Sequence, residues 1–204
     1  MDFLISAVKS TTKITLSNIS EIFLEKFKLN VKLIHSQEAR TIFCIEEYPD
    51  VILKLAKDRS EVNQNKAECH PAFSKYADIF NIPLTHNQDC SLILSPKAEV
   101  TYTELSEEET VRKFFNVDED FLISYFDRKV RVPNYTLKDI FIYVESNLNE
   151  TGSKFVKAFI GTHKTYPELS CWGLPADYAK GSSYGLVKGN LKIIDFGLTD
   201  YTYI

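Results

Sequence analysis

Short runs of β-branched and aromatic residues stand out early in the chain: Val31-Lys32-Leu33-Ile34, Thr41-Ile42-Phe43-Cys44-Ile45 and Val51-Ile52-Leu53-Lys54-Leu55. Turn-prone Tyr48-Pro49-Asp50 separates the last two, so the pattern predicts three antiparallel strands. Ahead of them, residues 18–28 place Ile22, Phe23 and Phe27 on one side of a short helix, with Ser20 as its cap. Residues 60–80 resume helical composition, but Pro71 lacks an N–H and should kink or split that helix. Ile82-Pro83-Leu84 and Ser91-Leu92-Ile93-Leu94 predict two further strands around the polar loop His86–Asp89.

From residue 103 to 165 the spacing turns helical. Ser106-x-x-Glu109 is a capping box ahead of Val111, Phe114 and Phe115, and residues 118–129, 136–148 and 151–165 are further candidate helices. Near the end, Tyr184–Val187 and Leu191–Ile194 flank Lys188-Gly189-Asn190, a tight hairpin signature. A strand-rich first half, a helical second half and a hairpin predict an α+β chain in two segregated lobes. The boundary falls at Leu94-Ser95-Pro96-Lys97, giving lobes over residues 1–95 and 96–204.

Composition narrows the partners. Of 204 residues, 44% are apolar and 13% aromatic, enough to bury a core and to exclude a disordered chain. A net charge of −4 supplies no basic excess for a phosphate backbone, so nucleic acid is not an expected partner. Cys44, Cys69, Cys90 and Cys171 form no CxxC pair, and with His35, His70, His86 and His163 they lack the paired spacing of a zinc site. They are expected to be idle thiols in a reducing cytosol. Phe3–Val8 is too short for a signal peptide or a membrane span, so a cytoplasmic chain without membrane contact is expected.

The candidate chemistry lies in two aspartates, a lysine and one of two glutamates. Leu191–Gly197 reads LKIIDFG, an apolar strand ending in Asp195, where a carboxylate can hold a divalent cation and the glycine lets the chain turn away. Asp177 precedes it by 18 residues. Lys54 sits on the third predicted strand, and the following helix carries Glu61 and Glu68. Singly, each is more readily an ordinary surface charge, and Asp-Phe-Gly an ordinary turn. In this order around a crossover they are the parts of phosphoryl transfer. The lysine neutralises phosphate charge and the glutamate orients it; one aspartate accepts a hydroxyl proton and the other binds magnesium.

On these residues the chain resembles the protein-kinase-like fold over residues 30 to 197, and small phage-encoded or bacterial kinases in particular. VILK is similar to the V-A-I-K strand, which implies Lys54 as the phosphate lysine and Glu68, fourteen residues on, as its partner. Leu92–Lys97 resembles the fifth strand and hinge. That implies Leu94 as gatekeeper, with the Ser95 carbonyl and the Lys97 amide facing the adenine of ATP. Asp177-Tyr-Ala-Lys-Gly-Ser182 is similar to the catalytic loop, implying Asp177 as catalytic base and Asp195 with Ser182 as ligands of Mg2+.

The departures bear on activity. Pro175-Ala176-Asp177 stands where His-Arg-Asp is the family pattern, and Ser182 replaces the metal-binding Asn. Ser36-Gln37-Glu38-Ala39-Arg40, between the first two strands, contains no glycine to let backbone amides approach phosphates. Seven residues follow the DFG, too few for an activation segment. The resemblance implies an ATP- and Mg2+-dependent phosphotransferase, a minimal Ser/Thr protein kinase of phage type acting on host proteins in the host cytoplasm. The alternatives are a pseudokinase that binds a protein partner and a small-molecule kinase. Thr199, Tyr201, Thr202 and Tyr203 are candidate autophosphorylation sites, or a frayed polar terminus.

Overall fold

Alternation with period two builds the main sheet. The computed structural model describes residues 1–36, 40–100, 107–116, 148–154 and 183–194. Strands β1 (Val31–Ser36), β2 (Arg40–Ile45), β3 (Val51–Ala56), β4 (Thr85–His86) and β5 (Leu92–Pro96) form an antiparallel sheet in the order β1-β2-β3-β5-β4. The register aligns Phe43, Leu53 and Leu94 on one face. One residue along, Ile42, Lys54 and Ile93 align on the other. Central β3 is therefore covered on both sides, which is why it reads as a near-continuous apolar run.

Two N-terminal helices close the apolar face. Leu4 and Val8 of α1 (Asp2–Ser10) and Ile19 and Phe23 of α2 (Ile19–Phe27) pack with Val31, Phe43, Ile45, Val51, Leu53, Leu55, Leu92 and Leu94 in one core. Helix α1 was not anticipated: Phe3, Leu4 and Ile5 make an apolar run without visible periodicity. At α2 the expected cap is corrected. Asn18 occupies the cap position, and Ser20 Oγ donates to the Val31 carbonyl at 3.0 Å, tying the helix to β1.

Helix α3 (Arg59–Glu68) leads from β3, and Pro71 starts a separate 3₁₀ turn, Pro71–Tyr76, as the missing N–H requires. The strand expected at Ile82–Leu84 forms instead at Thr85–His86. Three antiparallel strands, a helix and two more strands follow one another in the chain, and the architecture is α+β.

The described residues fall into two units, Met1–Pro71 with Asn81–Lys97, and Ala72–Phe80 with those from Ala98 onward. In the second, β6 (Glu99–Val100), β7 (Tyr184–Val187) and β8 (Asn190–Ile193) make a three-stranded antiparallel sheet. A Cβ on Gly185 would lie 2.9 Å from Ala98 Cβ, so only glycine lets β6 approach β7. Helix α4 (Glu107–Phe115) buries Phe114 and Phe115 against Tyr184, at ring separations of 4.9 and 5.9 Å. The Ser106 cap and most of the helices expected over 118–129, 136–148 and 151–165 lie outside the described residues; 151–154 are helical.

Candidate functional site

The face of the main sheet opposite the apolar core carries the charged groups. Lys54 is on β3, and Arg40, the first residue of β2, is its diagonal neighbour through the pairs Arg40↔Ala56 and Ile42↔Lys54. Both are buried, 5% and 7% exposed. Burying two cations is costly unless an anion meets them. Helix α3 supplies it.

Helix α3 begins with a reciprocal cap: Asp58 Oδ1 accepts from the Glu61 amide at 2.9 Å, and Glu61 Oε2 accepts from the Lys57 amide. From that start the spacing sets Glu61, Gln64, Asn65 and Glu68 along one buried stripe. Glu68, fully buried, divides its carboxylate between the two cations. Lys54 Nζ donates to Oε2 at 3.0 Å, and Arg40 Nη1 lies 2.7 Å from Oε1 as an ion pair off hydrogen-bond geometry. Arg40 Nη1 also donates to Asn65 Oδ1 at 3.3 Å, and Asn65 Nδ2 donates to the Cys90 carbonyl at 2.8 Å. Burial raises the Glu61 carboxyl above its ordinary value despite the Lys57 amide and Arg40. Burial, then the charge of Glu68, pushes the neighbouring Cys69 thiol upward, which leaves it unreactive.

The structure brings together Lys54 and Glu68, as expected, and adds Arg40 and Asn65. Period-two alternation back from Lys54's partner Ile42 would have put Arg40 on this face, had residue 40 been assigned to the strand rather than to a loop. The hinge residues are placed differently. Leu94 pairs with Leu53 and lies in the α1–α2 core, on the face away from Lys54, so it cannot be a gatekeeper beside that lysine. The Lys97 amide, expected to face adenine, donates to the Asp50 carbonyl at 2.8 Å. Ser95 pairs with Ile52 on the Lys54 face, and its buried hydroxyl has no hydrogen-bond partner among the described residues. Asp177, Ser182 and Asp195 lie outside the described residues; β8 ends just before Asp195.

Among the described residues, no group of three or more His, Cys, Asp and Glu side chains could hold a metal ion. Nor is any helix among them long and apolar enough to cross a membrane. No family model matches the chain, and no curated protein matches it. Among solved structures the chain is similar to the streptomycin–ATP–APH(2″)-IIa ternary complex, at 13% identity and a TM-score of 0.36. That overlay covers 93% of this chain and 74% of the other. So loose a superposition adds no weight to any function, which must come from the buried charges themselves.

Proposed function

We propose that the chain is an ATP-dependent phosphotransferase. The observation that carries this is the Lys54–Glu68 pair, 3.0 Å apart and withdrawn from water between a strand and the helix that follows it. A buried lysine fixed by a buried carboxylate is an expensive way to hold a sheet and helix together. It is a good way to aim one positive charge at a phosphate. In this reading Asp177 accepts the proton of the acceptor hydroxyl, and Asp195 with Ser182 would hold the magnesium ion of the nucleotide. Adenine is not received by the Lys97 amide, which already serves Asp50. The finer reading, a Ser/Thr protein kinase of phage type acting on host proteins, rests on the sequence resemblance.

A pseudokinase that binds a protein partner is the second reading. It is favoured by the glycine-free Ser36–Arg40 segment, by Ser182 in place of Asn and by the engaged Lys97 amide. One experiment separates them. ATP with magnesium should raise the melting temperature, and Lys54→Ala or Asp195→Ala should abolish the rise. Labelled γ-phosphate should then reach a protein acceptor, and Asp177→Ala should stop it. A nucleotide shift without transfer would favour the pseudokinase, transfer only to small hydroxyl compounds would make it a small-molecule kinase, and no shift would reject the phosphotransferase.

A further inference from the structure

Of the five buried residues of α3, only Ala67 is apolar; the others are Glu61, Gln64, Asn65 and Glu68. Apolar packing alone therefore does not fix where this helix sits on the sheet. Ion pairs fix it loosely, because lysine and arginine side chains are long and can follow a carboxylate that shifts. Asn65 is different. It is short and fully buried, and its Nδ2 donates at 2.8 Å to the Cys90 carbonyl, a backbone group that cannot follow. That carbonyl is itself held in an unusual way. Cys90 has a φ of 60°, in the left-handed region that residues other than glycine seldom occupy. Such a conformation persists where its surroundings impose it. Asn87, also buried, imposes it here. Its carbonyl accepts from the Cys90 amide at 3.1 Å, and its amide donates to the Leu92 carbonyl at 3.0 Å. Its side chain accepts from the Leu92 amide and donates to Ser91 Oγ, each at 3.0 Å.

We propose that the turn over residues 87–91 is the seat of α3, with Asn65 and Asn87 as positioning residues. Asn87 shapes the turn, the turn presents the Cys90 carbonyl, and Asn65 fixes the helix to it. Glu68 lies three residues beyond Asn65 on the same buried face, so the seat sets the place at which the carboxylate meets Lys54. The seating of α3 stands independently of the proposed activity; its consequence for phosphate binding rests on that reading.

The test uses the full chain with Asn65→Asp, Asn65→Ala, Asn87→Ala and the double variant Asn65→Ala/Asn87→Ala. Amide hydrogen exchange without nucleotide compares residues 59–68 with strands β2 and β3. Asn65→Asp keeps the oxygen that Arg40 reaches and loses the donor to Cys90. It should speed exchange in α3 about tenfold or more, and in the strands less than about threefold. Asn87→Ala removes side-chain bonds to Ser91 and Leu92 and should loosen α3 as well, through the Cys90 carbonyl. Adding it to Asn65→Ala should speed α3 exchange by less than about twofold more, because both act through one contact. Where alanine prevents folding, the aspartate variant at the same position takes its place. Exchange in α3 unchanged by Asn65→Asp or by Asn87→Ala, or losses that multiply in the double variant, would overturn the seat. Binding of ATP and of adenosine, each with magnesium, reads the link to Lys54. Asn87→Ala changes no charge, yet it should weaken ATP about fivefold or more and leave adenosine within about twofold. Equal losses for the two, or none, would overturn the link. If the wild-type chain binds neither, the phosphotransferase reading fails, while the exchange data still judge the seat.

Discussion

Thr41 and Glu61 show two costs of burying a polar group. Thr41 lies on the apolar face of β2 beside Leu55, fully buried, and its hydroxyl has no hydrogen-bond partner among the described residues. Thr41→Val should raise stability by about 1 kcal/mol, measured by urea unfolding, because it removes an unmet desolvation cost while keeping the branched shape. Glu61 pays differently: burial favours its neutral form, so the folded chain holds this proton to higher pH than the unfolded chain. This group's contribution to stability therefore falls as pH rises from the ordinary carboxylate range through the raised value. Glu61→Gln keeps an acceptor for the Lys57 amide and removes the titration. Its stability relative to wild type should grow from about pH 4 to about pH 7, and a constant difference would contradict the assignment. Alternation and helical composition put Lys54 on a strand and Glu61 and Glu68 on the helix after it, and it was the resemblance of VILK to the kinase-like strand that singled out Lys54 with Glu68. The second cation on Glu68 was not legible, since nothing local to Arg40 announces a carboxylate 28 residues away.

At the level of elements, legibility followed the strength of the local signal. Strands β1 to β3 and the hairpin appeared where β-branched runs meet turn residues. Helix α1 was hidden because its apolar residues do not sort to one face: Leu4 is buried while Phe3 beside it is 54% exposed. Strand β4 slipped past Pro83, which cannot donate to a ladder; the Leu84 amide reaches the Leu94 carbonyl instead, and pairing continues through Thr85 and His86. The β7–β8 hairpin turns through Lys188 and Gly189 at φ 51° and 77°, the left-handed pair of a type I′ turn. Nothing lies within 4 Å of a Cβ built on Gly189, so a substitution there is felt through the backbone alone. Thermal unfolding should show Gly189→Ala less stable by about 1 kcal/mol and Lys188→Asn more stable by a few tenths, since asparagine tolerates this region better.

On the scale of the first unit, one sheet is covered by two kinds of contact. Helices α1 and α2 meet it through aliphatic and aromatic side chains, and α3 meets it through charges and amides. Composition and pattern described the first kind for α2 and the strands, because apolar burial is additive and local, and missed it only at α1. They described the second poorly, because a polar contact depends on which partner three-dimensional folding delivers. The two coverings also answer to different weather. Apolar adhesion weakens on cooling, whereas the dehydration cost of ion pairs eases on warming. On warming, apolar adhesion on the side bearing α1 and α2 levels off, while the dehydration penalty on the side bearing Lys54, Arg40 and Glu68 keeps falling. On the way up in temperature it is therefore the charged face of the sheet, and not its apolar face, whose hold on a helix goes on gaining.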